Sequence, residues 1–123
     1  MNALWVAAGG ALGAAARYGV NEIGVRLSPA FPWHTIAVNV AGCFAMGLLT
    51  GLLQSKLQLS EAARLFLITG ILGGFTTFSA FAIDFAHLAE RKAFLDAFGY
   101  AFGSVVLSLV AVFAGLNLAR TLA

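Results

Sequence analysis

Charge is what this sequence has least of. Only 10% of its 123 residues are Asp, Glu, Lys or Arg, where a soluble domain carries about a quarter. Hydrophobic residues make up 61% and the mean hydropathy is +0.94. Such a chain cannot cover its own surface with polar groups, so a lipid bilayer is its natural solvent. A formal net charge of +2 is too weak a bias to argue for nucleic acid. Cysteine is nearly absent as well: Cys43 is the only one, which excludes an internal disulfide and a cysteine metal cluster. Its apolar surroundings read it as a small packing residue. His34 and His87 lie near span ends, far apart and without ligand partners, which argues against a side-chain metal site. No nucleophile–base pair is visible, so the chain is not read as an enzyme. No Lys or Arg precedes the first apolar stretch, so its GAAA is read as part of a retained membrane helix and not as a signal-peptide end.

What is present is a set of long apolar runs. The sequence predicts an all-α integral membrane protein, one domain over 1–123 with four transmembrane helices at about 4–24, 35–53, 65–83 and 97–119. The first is less clean than the others because it holds Arg17 and Glu22. Both prolines, Pro29 and Pro32, fall in the first loop. Ser60 followed by Glu61 is a helix start. An even number of spans puts both termini on one side. Each span carries two glycines four residues apart: Gly9 and Gly13, Gly47 and Gly51, Gly70 and Gly74, Gly99 and Gly103. Such pairs let helix backbones approach closely in lipid, where apolar burial gives no net drive.

Topology follows the positive residues. The side with both termini and the second loop has Lys56, Arg64 and Arg120; the other has Arg26, Arg91 and Lys92, with Arg17 near the end of the first helix. That is almost no bias. A chain without bias inserts both ways, and two inverted copies can pair about an axis in the membrane plane. Transporters built from inverted repeats reach the same arrangement within one chain. The expectation is an antiparallel dual-topology homodimer.

The stretch GGFTTFSAF, Gly73 to Phe81, interrupts the third run. Paired glycines cost a helix roughly 1 kcal/mol each against alanine, so the third helix is expected to break near its midpoint. Freed carbonyls at that break, doubled by an inverted partner, could hold a structural cation; the plainer alternative is a kinked helix whose hydroxyls bond back one turn. Phe78 and Phe81 are three apart and share a face. Their positive ring edges could stabilise a small anion, although spacing alone favours ordinary packing. Tyr100, Ser104 and Ser108 form a ladder of hydroxyls on the last helix. Asn39 adds an amide to the second span. Together these polar groups mark a pore or transport site. Arg17 either attracts an anion at a vestibule, pairs with Glu22 or snorkels outward.

TGILGGFTTFSAF, with GALGAAARY around Arg17, TIAVNVAG around Asn39 and the Tyr100–Ser104–Ser108 ladder, resembles the Fluc (CrcB) fluoride channels. The likeness covers all four spans in order. It implies antiparallel homodimers with two fluoride pores in the bacterial cytoplasmic membrane. Phe78 and Phe81 would meet fluoride with their ring edges, Asn39 would donate beside them, Tyr100, Ser104 and Ser108 would line a polar track, and Ser79 belongs to the same hydroxyl-rich stretch. Arg17 would stand at the vestibule. The carbonyls of Gly73 and Thr76 would bind a central sodium ion shared by the two copies. The implied role is passive release of fluoride, which enters cells as neutral hydrogen fluoride and is trapped on dissociation. Ala80, Val112 and His34 depart from the family pattern, the first two by removing hydroxyls near the track. Two competing readings are a small dual-topology drug or cation exporter, which calls for an acid deep in the first span, and a membrane assembly subunit, for which the ladder is packing alone.

Overall fold

The computed structural model describes residues 1–122, and Ala123 lies outside them. The described residues form helices joined by short turns, with no strand among them. Helix α1 is Asn2–Leu27 and α2 is Trp33–Ser55. A composite third helix follows: α3 (Glu61–Arg64), a wider π-helical stretch Leu65–Leu72, α4 (Gly73–Phe75) and α5 (Phe78–Glu90). Helix α6 is Phe94–Leu122. Each helix extends beyond the span expected from sequence. At 29 residues and about 1.5 Å per residue, α6 reaches about 43 Å, long enough to cross the hydrocarbon core with turns to spare at each end.

Three helices are long and apolar enough to cross a membrane: Trp33–Ser55, Glu61–Glu90 and Phe94–Leu122. The first has the length, at 26 residues, but not the apolarity. Asn2, Arg17, Asn21, Glu22 and Arg26, together with its glycines, hold its hydropathy down. The ends of the helices are tied as an up-and-down bundle requires. Asn2 Nδ2 donates to Glu61 Oε1 at 3.3 Å and Lys56 Nζ to the Leu122 carbonyl at 3.3 Å, so both termini and the second loop share one end. Arg91 Nη2 donates to the Ala30 carbonyl at 2.8 Å and joins the first and third loops at the other.

Local signals explain the boundaries. Ser60 caps α3, its Oγ accepting from the Ala63 N–H at 3.1 Å. Helix α5 ends in a paired closure: Lys92 N–H donates to the Ala89 carbonyl and Ala93 N–H to that of Leu88, both at 2.9 Å. Lys92 takes the left-handed conformation there, φ 61°, a place usually given to glycine.

Glycine sets the helix spacing. Helix α1 lies against the π-helical stretch and α4, while α2 runs beside α6 in the same direction, Gly47 meeting Val112 and Gly51 meeting Ala119. A side chain on Gly9 would strike the Phe66 carbonyl, and one on Gly13 that of Ile71. One on Gly47 would strike the Val112 carbonyl, and one on Gly115 that of Phe44. The pair Gly99 and Gly103 does not act this way: nothing lies within 4 Å of either. The glycine of α6 that carries the contact is Gly115. The buried cluster of Ile36, Leu88, Ala97 and Tyr100 sits toward the end with the first and third loops, and Phe81 and Phe85 pack against it.

Gly47→Ala therefore drives a methyl group into the α6 backbone, at a cost of about 1–3 kcal/mol. Gly19→Ala, with nothing within 4 Å, is expected to be neutral or mildly stabilising. Thermal unfolding midpoints of the two variants in detergent check this; equal midpoints would remove the spacing role of Gly47.

Candidate functional site

The third helix loses its regular geometry at two residues. Gly73 and Gly74 are helical, Gly73 with φ −63° and ψ −37°. The extended residues are Thr76 (φ −81°, ψ 155°) and Thr77 (φ −153°, ψ 124°). Sequence reasoning placed the weak point on the glycines. β-Branched threonines favour extended backbone, and side chains here replace the helical hydrogen bonds. Asn39 of α2 does most of this: its Nδ2 donates to the Thr77 carbonyl at 2.9 Å and its Oδ1 accepts from the Thr77 N–H at 2.8 Å. Thr77 caps α5, its Oγ1 accepting from Ala80 N–H at 3.1 Å. Thr76 Oγ1 bonds back to the Leu72 carbonyl at 3.0 Å. Arg17 Nε donates to the Gly74 carbonyl at 3.1 Å, so this hydrogen bond of Arg17 goes to the interrupted backbone and not to Glu22.

Beside these residues lies a cavity of about 470 Å³. Asn39 and Cys43 of α2, Gly73, Thr76 and Thr77, Phe78 and Phe81 of α5, and Ser104, Val105 and Ser108 of α6 line it. None of these carries a charge. Ser104 is 6% exposed, and its Oγ is buried without a hydrogen-bond partner. The rings of Phe78 and Phe81 are 5.4 Å apart and tilted by 46°. Phe81 stands 5.2 Å from Tyr100, which meets Phe31 edge-on at 5.7 Å. Helix α5 begins at Phe78, on the cavity wall, where the first amides of a helix carry partial positive charge.

Not every residue singled out from sequence reaches this cavity. Tyr100 is fully buried, and its hydroxyl donates to Asp84 Oδ2 at 3.0 Å. Thr35 Oγ1 donates to the same oxygen at 2.6 Å. The ladder on α6 thus divides: Ser104 and Ser108 line the cavity and Tyr100 joins Asp84. Ser79 faces outward, with its Oγ 3.3 Å from Thr77 Oγ1. Val112 packs its backbone against Gly47. His34 stands against Gly24, its Nδ1 buried and unpartnered. It borders a second cavity of about 390 Å³ with Asp84, His87 and Arg91. No cluster of three metal-ligating side chains exists among the described residues.

Thr35, Thr77 and Cys43 were missed from sequence, and for two of them the signal was there. Thr35, Asn39 and Cys43 stand at i, i+4 and i+8 of α2, the same spacing as Tyr100, Ser104 and Ser108 on α6. The two stripes lie on helices that run side by side.

Comparison with known proteins agrees with the resemblance. The family model described as CrcB-like protein, Camphor Resistance (CrcB), matches residues 4–116. The chain belongs to the CrcB family. It is 59% identical over 119 residues to the fluoride-specific ion channel FluC of Paracoccus denitrificans (strain Pd 1222), covering 97% of this chain and 94% of the relative. It is 52% identical over 122 residues to the protein of that name from Mesorhizobium japonicum, with 98% of each chain covered. Against that of Rhizobium etli, identity is 51% over 123 residues, covering 99% of this chain and 98% of the relative. Membership of CrcB, together with the apolar helices, makes this a multi-pass bacterial membrane protein and not an enzyme.

Within this CrcB chain, the backbone carbonyls of Gly73 and Thr76 are among those that lose their helical donors at the interruption. The N–H that would serve Gly73 belongs to Thr77 and goes to Asn39, and the N–H that would serve Thr76 belongs to Ala80 and goes to Thr77 Oγ1. Both are hard oxygen donors of the kind an alkali or alkaline-earth cation takes.

Asn39→Ala removes a donor and an acceptor from the Thr77 peptide at once. Leaving such groups unmet costs about 1–3 kcal/mol, so the unfolding midpoint should drop clearly, while Ser79→Ala, whose hydroxyl is exposed, should leave it unchanged. Equal midpoints for Asn39→Ala and the parent would show that the amide does not hold the interruption.

Proposed function

We propose that this chain is a fluoride-selective passive channel that lets fluoride leave the bacterial cytoplasm. The observation that carries the reading is a cavity walled by Asn39, Ser104 and Ser108 without a single acid, beside a Ser104 hydroxyl that is buried with no protein acceptor. A buried donor left unmet costs about 1–3 kcal/mol, and an anion in the cavity would be its acceptor once the hydroxyl turns toward the space that Ser104 lines. The relatives' name, fluoride-specific ion channel, agrees with that chemistry. The exporter reading asks for a carboxylate open to the transport site; Asp84 instead accepts two hydroxyls and borders the other cavity.

Fluoride holds its water tightly, so a path for it must offer replacement donors in a space too narrow for a larger halide. Ser104 and Ser108 offer hydroxyls that rotate with a passing ion. Asn39 keeps one amide hydrogen beyond the one it gives Thr77. The opening turn of α5 adds partial positive charge, and Phe78 and Phe81 present ring edges. Arg17 raises the local positive potential near Gly74 and draws anions toward the mouth. A negative-inside potential then drives the anion outward by about 2.3 kcal/mol per 100 mV.

The proposed assembly is an antiparallel dual-topology homodimer with two pores, all four helices spanning and the third one broken. The near-balance of positive residues supports it, as does the exposure of Phe78, 78% in a single copy. Gly73 and Thr76 would hold a structural sodium ion through their carbonyls. That ion would join the interrupted segments of the two copies.

Fluoride efflux from liposomes, read with a fluoride electrode, tests the channel. Efflux should be fast for fluoride and far slower for chloride, and Phe81→Leu or Ser104→Ala should cut it about tenfold, the effect of losing about 1.4 kcal/mol at the barrier. Equal passage of chloride, or full activity in both variants, would refute the pore assignment. The assembly has its own test. A single cysteine at the exposed Lys56, in a Cys43→Ser background, should react with an impermeant reagent from both faces of the membrane. Labelling from one face alone would rule out dual topology.

A further inference from the structure

The sequence read Cys43 as packing, but its side chain borders the cavity. We propose that Cys43 is a thiol modification site on the fluoride path, where a small group attached to sulfur closes the path. The inference rests on the channel reading above. Cys43 is the third position of the α2 stripe, after Thr35 and Asn39, and lines the same cavity as Ser104 and Ser108. It is free and partly exposed. Ser104, 6% exposed and with a buried hydroxyl that has no protein partner, lines that cavity too. The sulfur therefore adjoins an open space whose wall includes Asn39, Ser104 and Ser108, and not apolar packing alone.

The chemical class that fits is a small, neutral, sulfur-transferring reagent. A charged reagent would lose its hydration on entering this uncharged wall, while the space of about 470 Å³ beside the sulfur admits a small neutral one. Methyl methanethiosulfonate is such a probe. The Cys43 thiol loses its proton to water, and the thiolate attacks the sulfenyl sulfur. A new S–S bond forms, the S–SO₂ bond breaks, and methanesulfinate leaves with the electron pair. The product carries a methylthio group where the ion would pass, next to Asn39 and the α6 serines. It adds volume and no hydrogen-bond donor, and it replaces the weak S–H donor.

The experiment treats the reconstituted protein with methyl methanethiosulfonate and measures intact mass and fluoride efflux on the same sample. The expected result is one methylthio group per chain, a loss of efflux of about tenfold or more, and recovery after dithiothreitol. Cys43→Ser and Cys43→Ala should gain no mass and keep the same ratio of treated to untreated efflux, each variant compared with itself. Should neither variant fold, dithiothreitol recovery in the parent chain still decides the matter. Complete labelling with efflux changed less than twofold would overturn the proposal, because the sulfur would then lie off the path. A thiol that reacts only after denaturation would overturn it as well. Untreated protein that passes no fluoride would instead defeat the channel reading on which the proposal rests.

Discussion

In lipid no water is available to a peptide group that leaves its helix, and every such group must find a partner inside the protein. The contact between the Asn39 amide and the Thr77 peptide meets that demand at the one place where it is most severe. Two hydrogen bonds, at 2.9 and 2.8 Å, replace what the helix gave up. Much else follows from placing Asn39 there. Helix α2 must come close to the interrupted segment, and Gly42 permits it: a side chain at Gly42 would collide with Thr76 Cγ2. Helix α1 must close the other side, and Gly9, Gly13 and Gly74 allow its backbone to touch the third helix. Arg17 then takes the Gly74 carbonyl.

The interruption also sorts charge. Helix α4 ends in carbonyls and α5 opens in amides, so partial negative and partial positive ends meet across Thr76 and Thr77. Asn39 and the Thr77 hydroxyl satisfy the groups between them and so divert the donors that Gly73 and Thr76 would otherwise receive. A soft spot in a helix usually collapses onto itself through bent hydrogen bonds. Here side chains from outside the segment prevent that collapse, and oxygen atoms remain on one side and N–H groups on the other. One short stretch of backbone can thus suit a cation at the carbonyls and an anion near the amides, with neither a fixed acid nor a fixed base in the cavity wall.

The sequence made legible what the bilayer enforces. Long apolar runs, short loops, the Ser60 cap and the shared end of the termini are all strong signals, because lipid tolerates few alternatives. Pairing of polar groups was less legible, since it depends on neighbours from other helices. Asn39 reads as a free donor until Thr77 occupies it. Tyr100 reads as one step of a ladder until Asp84, sixteen residues earlier, takes its hydroxyl. Gly99 and Gly103 have the spacing of a contact but lie on an open face, while Gly115, outside any such pair, carries the contact. Glycine spacing says that a close approach is allowed; it does not say which helix arrives. The first helix shows the opposite case: its polar residues lower its apolarity, yet Gly9 and Gly13 seat it firmly on the third.

Phe78 raises the remaining physical question. A phenylalanine that is 78% exposed at the edge of a cavity with an unpaired buried hydroxyl gives a single copy an unfinished wall. In bulk lipid the exposed ring would cost nothing, since acyl chains solvate it well. Lipid, however, has no donors, and acyl chains entering the cavity would leave Ser104 unmet and block any ion. A functioning path needs a cover that excludes acyl chains and leaves polar space beneath. A second copy in the inverted sense of the proposed pair can bring its own Phe78 to the same region, so that each copy completes the wall of the other. The requirement of a dry but donor-lined path, and not apolar burial, is then the physical reason for the chain to pair.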